Sequence, residues 1–304
     1  MDGHVKKLGA GSFGPLGGVL AALPPFPGKH RFIDCAAALS RWTGAAQTES
    51  SPWPGTRFSV DLRDRIQRQM WCGCYEPHVT RGLQAVLRSG DTFLDLGANI
   101  GYHSFFAARF VGSAGRVFAF EADPGVYRQL QRNLQQFRQA QVLHCAVCDH
   151  DGEAMFERSS APGESGWGTL TAVRDLGIGE HVYVPAISLD HWAQQNPISS
   201  LRTIKMDIEG SEPAVLRGGR RLLEQFRPVL LLEINDVQLR NSKSSAELLG
   251  SELLGLRYHI YQLSYRRIVR MNSLAGCSFV DCMCVPEESA PEIMKLLRTH
   301  GFRT

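Results

Sequence analysis

A short apolar run that ends in an acid and two glycines constrains the fold of this chain most strongly. Residues 92–101 read TFLDLGANIG, and a helix-like pattern, Tyr102–Phe110, follows at once. The side chains before Asp95 are apolar without alternation, which is typical of a buried parallel strand. Gly97 and Gly101 suit a tight turn that brings backbone close to a ligand, with the first N–H groups of the helix facing it. The stretch predicts the first β-to-α turn of an α/β fold.

The spacing of the glycines indicates which ligand this turn suits. A dinucleotide fingerprint is G-x-G-x-x-G, whereas Asn99 stands here where the middle glycine would admit a pyrophosphate. The next predicted strand, Arg116–Phe120, leads to Glu121, which is placed to accept hydrogen bonds from both ribose hydroxyls of a ligand. An adenosine without phosphate fits best, and S-adenosylmethionine (SAM) is the common ligand of this kind. A dinucleotide site and a plain structural turn are the alternatives.

Three segments resemble, in this order, the FkbM family of SAM-dependent methyltransferases. They are Asp95–Tyr102 (DLGANIGY), Gly115–Glu121 (GRVFAFE) and Ile204–Glu212 (IKMDIEGSE), of which the Lys-x-Asp-x-Glu-Gly part is the most specific. One departure is Ala122-Asp123, where the family often has proline directly after the glutamate. The resemblance runs from Tyr75 to Pro286 and implies a methyltransferase with SAM as cofactor. The implied fold is α/β, a Rossmann-like doubly wound seven-stranded sheet whose last strand is antiparallel.

Residues 75–304 are expected to form the methyltransferase domain, and residues 1–74 an N-terminal arm and cap segment. The pattern predicts an α/β appendage with a helix over Arg31–Trp42, a strand over Arg57–Asp61 and a helix over Leu62–Trp71. Residues Asp149–Pro185 break the β-α alternation and predict a β-rich insertion, where Trp167 either stacks on the acceptor or simply packs. Further core strands are predicted over Gln141–Val147, Leu201–Met206, Pro228–Asn235, Tyr258–Leu263 and Ser278–Val285.

The cofactor contacts are expected from the turn and from segments on either side of it. Asp95, Gly97, Asn99 and Gly101 form the turn, and Glu121 follows the second strand. In SAM enzymes of this layout the segment before the first strand folds over the methionine end, so Tyr75 and Glu76 are candidates by position. Packing is an equal alternative for Tyr75. Ala146 and Val147, at the end of the predicted third strand, are expected to flank the adenine.

Asp207 is the candidate nearest the transferring methyl group, as general base or as anchor of the acceptor hydroxyl. Lys205 shares its face of the predicted strand and would hold Asp207 charged, which favours anchoring. Glu209 is a third catalytic candidate, or it caps the following turn. A magnesium site of the catechol-methyltransferase type would use Asp207, Glu233 and Asn235. Metal-independent transfer is the favoured expectation, because Lys205 already supplies a cation.

Composition and charge indicate which kinds of binding partner and which cellular compartment to expect. A net charge of +3 is too small to indicate nucleic acid, and no apolar stretch is long enough to span a bilayer. Eight cysteines without a clear secretory signal predict buried thiols in a cytoplasmic enzyme, rather than disulfides or zinc. A homo-oligomer stays open.

The expected reaction is methylation of a small-molecule oxygen, in a sugar, a polyketide or another natural product. N-methylation, a dinucleotide oxidoreductase and a non-catalytic binding module of the same fold are the alternatives. Intact Asp95, Gly97, Gly101, Glu121 and Asp207 disfavour the binding module, since a module that only binds a partner has no need of them all.

Overall fold

The computed structural model describes residues 47–50, 52, 55–159, 169–170 and 179–303. The predictions for Arg31–Trp42 and for Trp167 lie outside these residues. The chain divides into two compact units, residues 1–77 with 161–166 and residues 78–160 with 167–304. The predicted division at residue 75 stays a prediction.

In the first unit a two-stranded antiparallel sheet precedes a short helix. Strand β1 (Gln47–Ser50) pairs with β2 (Phe58–Asp61), and helix α1 (Arg65–Trp71) follows. The helix begins after Asp64 because this side chain accepts hydrogen bonds from two otherwise unpaired N–H groups, those of Ile66 and Gln67. The predicted strand and helix of this region are confirmed, with the helix starting three residues later.

The strands and helices of the second unit alternate regularly at first and become β-rich in the middle. The strands are β3 (Thr92–Leu96), β4 (Arg116–Glu121), β5 (Ala140–His144), β6 (Ala146–Cys148), β7 (Gly152–Ser159), β8 (Thr169–Leu170), β9 (Gly179–Ser188), β10 (Thr203–Met206), β11 (Val229–Asn235), β12 (Tyr258–Ser264), β13 (Arg267–Met271) and β14 (Phe279–Pro286). The helices are α2 (Pro77–Val86), α3 (Tyr102–Val111), α4 (Pro124–Leu134), α5 (Leu189–Gln195), α6 (Glu212–Gly218), α7 (Arg220–Phe226), α8 (Asp236–Asn241), α9 (Ala246–Gly255) and α10 (Ala290–Thr299).

The main sheet confirms the predicted doubly wound architecture and adds one strand. Its order is β13-β12-β14-β11-β10-β3-β4-β5. The neighbours from β11 to β5 are parallel, and β14 runs antiparallel to both β11 and β12. The arginine-rich segment after β12 forms a strand of its own, β13. Its Ile268 is buried and pairs opposite Leu263 of β12. The exposed Arg267 and Arg270 on this edge disfavour pairing with a further strand.

The predicted third core strand is wrong in its length. β5 ends at His144, which pairs with Glu121, the last residue of β4. The chain of β4 turns into α4 soon afterwards, so β5 has no ladder partner there beyond His144. The following residues form β6, which pairs in parallel with β9 in a separate four-stranded sheet of order β6-β9-β7-β8. This second sheet confirms the predicted β-rich insertion.

The core lies on both faces of the main sheet, and all five residues of β3 are buried. The seven described cysteines are free, and Cys282 and Cys284 of β14 are fully packed. Burial raises the pKa of both thiols, which keeps them protonated and unreactive. Among the described residues no helix combines the length and apolar character that crossing a membrane requires.

Candidate active site

The turn after β3 requires glycine at two positions. Gly97 has φ +73°, and a Cβ there would lie 1.9 Å from the backbone oxygen of Asp207. Gly101 has φ +90°, and its Cβ would lie 2.6 Å from the Leu130 side chain of α4. Asn99, between them, also adopts a left-handed conformation, with φ 52°. The glycines are therefore needed for close contact with the protein's own neighbouring segments, a reason that the sequence did not reveal.

The N–H groups of this turn are directed at the end of β4. Those of Gly97 and Ala98 both donate to the carbonyl of Phe120, at 3.1 and 2.9 Å. The N–H of Asn99 donates to the Glu121 carboxylate at 2.9 Å, and that of Ile100 to the Asn99 side chain. These bonds fix the turn against β4. The prediction that the first N–H groups of the following helix face a ligand concerns later residues and stays a prediction.

Glu121 is the buried acid that closes this side of the site. Its two carboxylate oxygens accept from the N–H groups of Asn99 and Asp123, at 2.9 and 2.8 Å. Burial raises the pKa of Glu121 to about 7, although both N–H bonds oppose the rise. A carboxylate oxygen has two lone pairs, so each can still accept a further hydroxyl donor.

A buried lysine joins the ends of two neighbouring strands. Lys205 of β10 lies opposite Asp95 of β3 in the parallel register, so both side chains point to the same face. Its ammonium nitrogen lies 3.1 Å from Asp207 Oδ2 and 3.9 Å from Asp95 Oδ1. The hydroxyl of Ser104 donates to the other Asp95 oxygen at 2.6 Å. Lys205 and Asp95 are only 5% and 1% exposed, so one buried cation is shared by the carboxyl groups of Asp95 and Asp207.

The loop that follows Asp207 contains two more acids with perturbed ionisation. Burial raises the pKa of Glu209 to about 8, and the negative charges of Asp207 and Glu212 add to the rise. Burial also raises the pKa of Glu212 to about 7. Glu212 accepts from the N–H of Ile208, which ties the loop to the start of α6. Sequence reasoning assigned turn capping to Glu209 as the alternative to catalysis, and it gave Glu212 no role. The position of Glu212 in the first turn of the helix could have indicated that its side chain accepts from a backbone N–H there.

The third metal candidate is engaged in helix capping. The side chain of Asn235 accepts from the N–H of Val237 and caps α8. Glu233, two residues earlier, presents a carboxylate oxygen within 4.8 Å of an Asp207 carboxylate oxygen. Asp207 and Glu233 are thus together at one sheet edge, while Asn235 serves the helix.

The remaining predicted cofactor contacts are divided between the first unit and the second sheet. Tyr75 and Glu76 belong to the first unit, where both are half-buried and Glu76 has φ 36°. Ala146 and Val147 lie in β6 of the second sheet instead of at the end of a core strand. Ala146 packs with Phe156 in one apolar cluster, and Val147 packs in the main core.

A separate group of possible metal ligands occurs at the start of the insertion. Cys148, Asp149 and His150 place one ligand atom each within 4.8 Å of one another. Asp149 is engaged by Arg217 at 2.8 Å. The Cys148 sulfur lies 3.5 and 4.0 Å from the two ring nitrogens of His150. For these residues the prediction of thiols rather than zinc stays a prediction.

Three features together define a class I SAM-dependent methyltransferase. They are the parallel sheet with its antiparallel strand β14, the acid-and-glycine turn after β3 and the acid at the end of β4. The model of the family described as "Methyltransferase FkbM domain" matches residues 95–304. The chain belongs to the FkbM methyltransferase family.

Two characterised relatives are similar to this chain. The 2-O-methyltransferase NoeI of Sinorhizobium fredii is 25% identical over 198 residues, which cover 59% of this chain and 79% of that protein. The hexuronic acid methyltransferase AglP of Haloferax volcanii is 25% identical over 157 residues, covering 51% of this chain and 61% of that protein. A crystal structure of an FkbM methyltransferase from Methylobacillus flagellatus gives a TM-score of 0.43 at 16% identity, over 73% of this chain and 54% of that one.

Proposed function

We propose that the protein transfers the methyl group of SAM to a hydroxyl oxygen of a small molecule, and that this molecule is a sugar. The names of the two relatives, a 2-O-methyltransferase and a hexuronic acid methyltransferase, support this acceptor class. The observation that carries the proposal is the sheet edge itself. Glu121, the ribose candidate, ends β4, and Lys205 of β10 is paired with Asp207 directly after that strand, with the glycine turn after β3 between them.

In this proposal SAM lies over the turn after β3. Glu121 accepts hydrogen bonds from both ribose hydroxyls, while Gly97, Asn99 and Gly101 shape the backbone beneath the methionine end. Asp95 contributes indirectly, because its carboxylate is buried against Ser104 and Lys205. Tyr75 and Glu76 remain candidates for the methionine end, and Ala146 and Val147 for the adenine, on their position in the sequence alone.

Asp207 is assigned to anchoring the acceptor hydroxyl. Lys205 donates a hydrogen bond to its carboxylate at 3.1 Å, which favours the ionised form and makes it a poor proton acceptor. An ionised carboxylate accepts a hydrogen bond from a hydroxyl of the acceptor and can thereby hold the reacting oxygen in line with the sulfonium methyl. Glu209 lies in the same loop and is protonated over much of the neutral range, since its pKa is raised to about 8. It is therefore the weaker catalytic candidate.

The reaction is proposed to need no metal ion. A magnesium ion at this edge would use Asp207, Glu233 and Asn235, but Asn235 caps α8 and Asp207 is paired with Lys205. The buried ammonium group supplies the positive charge that the ion would bring. Hydroxyl rather than amine as acceptor is supported by the relative NoeI, whose name specifies O-methylation.

The test is a methylation assay with two defined acceptors. The protein is incubated with SAM and either methyl glucopyranoside or methyl glucuronopyranoside, and S-adenosylhomocysteine release is measured with mass analysis of the glycoside. A product heavier by one methylene, with the methyl on oxygen, is expected for at least one of them. Binding of SAM without methylation of either glycoside would overturn the sugar assignment, and binding of NADH in preference to SAM would overturn the methyltransferase itself.

A further inference from the structure

A histidine and an aspartate form a close pair at the carboxyl edge of the sheet that also carries Asp207 and Glu233. His78, at the start of α2, has its Nε2 atom 2.7 Å from Asp281 Oδ2 of β14. The two side chains are 17% and 18% exposed, so the pair is largely shielded from water. Among the described residues Asp281 is the single hydrogen-bond partner of the His78 ring. Neither residue was singled out from the sequence.

The packing of α2 explains how His78 reaches this position. Gly82 lies one helical turn after His78 on the same helix face. A Cβ at Gly82 would lie 3.1 Å from Met283, 3.5 Å from Leu263 and 3.8 Å from Leu231. The missing side chain therefore lets α2 lie close against this face of the sheet. His78 then falls over Asp281, two residues before Met283 along β14.

The strand register places the pair next to the acids of the site. Asp281 is directly opposite Glu233 in the antiparallel ladder of β14 and β11, so their side chains are neighbours on one face. Glu233 in turn has a carboxylate oxygen within 4.8 Å of one on Asp207. Asp207, Glu233 and Asp281 thus follow one another along the carboxyl edge, and His78 stands at the far end of this row.

The chemistry of the pair is that of an oriented base. A carboxylate only accepts hydrogen bonds, so the proton of the neutral ring lies on Nε2 and the Nδ1 atom keeps its lone pair. The same division of roles lets a buried aspartate orient a catalytic histidine and stabilise the imidazolium that forms. Histidine is also the side chain whose charge changes most readily between pH 5 and 8.

We infer that His78 is the proton acceptor in methyl transfer and that Asp281 orients it. The inference rests on the proposed function and completes it, since Lys205 makes Asp207 an anchor rather than a base. The acceptor oxygen forms a bond to the methyl carbon as the carbon–sulfur bond breaks, and that electron pair stays on sulfur. Asp207 holds the sugar through a hydroxyl next to the reacting one, and the proton of the reacting hydroxyl passes to His78 Nδ1. The sulfonium becomes the neutral thioether of S-adenosylhomocysteine, so charge and atoms balance.

The first experiment reads the histidine directly and needs no acceptor. Uniformly ¹⁵N-labelled protein saturated with S-adenosylhomocysteine is titrated from pH 5 to 9, and the ring nitrogens are followed by NMR. His78→Gln identifies the His78 signals. His78 contacts Asp281 of β14, which lies opposite Glu233 of β11, and Arg81 follows His78 on the same helix. We expect the Nε2–H tautomer with an unprotonated Nδ1 at the high-pH end. An Nδ1–H tautomer there would overturn the inference.

The second experiment measures turnover of the glycoside that the wild-type protein methylates. His78→Gln keeps a side-chain amide that can donate to Asp281, so it preserves the tether between α2 and β14 but cannot take up a proton. We expect kcat to fall by about 10²–10⁴-fold. The KM for the glycoside and the affinity for SAM should stay within about threefold, and the acidic limb of the pH profile should disappear. His300→Gln, at the exposed end of α10, is the matched control and should match the wild type.

The two experiments separate the inference from the function on which it rests. If the wild-type protein methylates neither glycoside, the sugar assignment fails and the NMR titration alone decides the role of His78. If a glycoside is methylated and His78→Gln turns it over within threefold of the wild type, the function stands and the inference is overturned. Asp281→Asn gives a further check. If this variant loses turnover only as far as its melting temperature falls, the pair is a structural tether instead of a base, and the inference is overturned.

Discussion

Glu121 is expected to make SAM binding depend on pH near neutrality. Burial raises the pKa of this carboxyl from 4.5 to about 7. The group must be ionised to accept from two ribose hydroxyls while it keeps its bonds from Asn99 and Asp123. It is ionised above its raised pKa and protonated below it. Affinity for SAM should therefore be highest above pH 7 and fall to roughly one tenth at pH 6.

The same rise in the pKa of Glu121 also affects folding stability, in the opposite sense. Ionisation of the carboxyl at high pH favours SAM binding but disfavours the folded state. A rise in pKa from 4.5 to about 7 means that folding makes ionisation costlier by roughly 3 kcal/mol. Below pH 4.5 the group is protonated in both states and the cost is absent, whereas above pH 7 it is fully present. Glu121→Gln removes the ionisable group. The NH₂ group of the new glutamine, however, faces one of the two backbone N–H donors, and this mismatch costs about 1 kcal/mol. We expect the variant to be more stable than the wild type by about 1–2 kcal/mol at pH 8, and no more stable at pH 5.

The binding effect of the same variant is a loss of charge-assisted bonds to the ribose, about 2–3 kcal/mol or 30–150-fold in affinity at pH 8. Calorimetric titration of SAM at pH 6 and 8 measures it, and urea unfolding at pH 5 and 8 measures the stability. Glu212→Gln is the control, because Glu212 is equally buried with its pKa raised to about 7. It should gain stability without losing affinity. Wild-type affinity in Glu121→Gln at pH 8 would refute the ribose assignment.

Three further outcomes are expected. Asp207→Asn should leave SAM affinity within a few-fold and lower kcat by about 10²–10⁴-fold, measured by S-adenosylhomocysteine release; full turnover would move the anchor elsewhere. Lys205→Met should lower the free energy of unfolding by about 3–5 kcal/mol in urea titrations, because Asp95 and Asp207 lose their shared cation. Adding Asp207→Asn should recover part of that loss. Dialysis against EDTA should leave activity unchanged, and activity that vanishes and returns with Mg²⁺ would make Asp207, Glu233 and Asn235 ligands.

The sequence predicted those parts of the fold that depend on local pattern. Continuous apolar runs marked β3, β10 and β11 because both faces of a parallel sheet are covered. The acid at the end of β4 and the Lys205–Asp207 spacing followed from strand alternation, and the structure places the two side chains 3.1 Å apart. These features need only the neighbours along the chain.

The parts that were missed depend on contacts distant in sequence. β5 stops at His144 because its partner strand ends there, a fact about β4 that the pattern of Gln141–Val147 does not contain. The bonds from the N–H groups of Gly97, Ala98 and Asn99 to the end of β4 likewise depend on a segment more than twenty residues away. The pair of His78 and Asp281 joins residues 203 positions apart, and no local spacing indicates it.

The charges along the sheet edge suit the change that SAM undergoes. Lys205 contacts both Asp95 and Asp207, and Glu233 and Asp281 continue the row of acids. Four carboxylates in one row favour a positively charged ligand, so they attract a sulfonium ion. Methyl transfer removes that positive charge, and the neutral product loses the attraction. The same acids that bring SAM to the edge would therefore weaken the retention of S-adenosylhomocysteine, while protonation of His78 restores one positive charge beside them until the proton leaves.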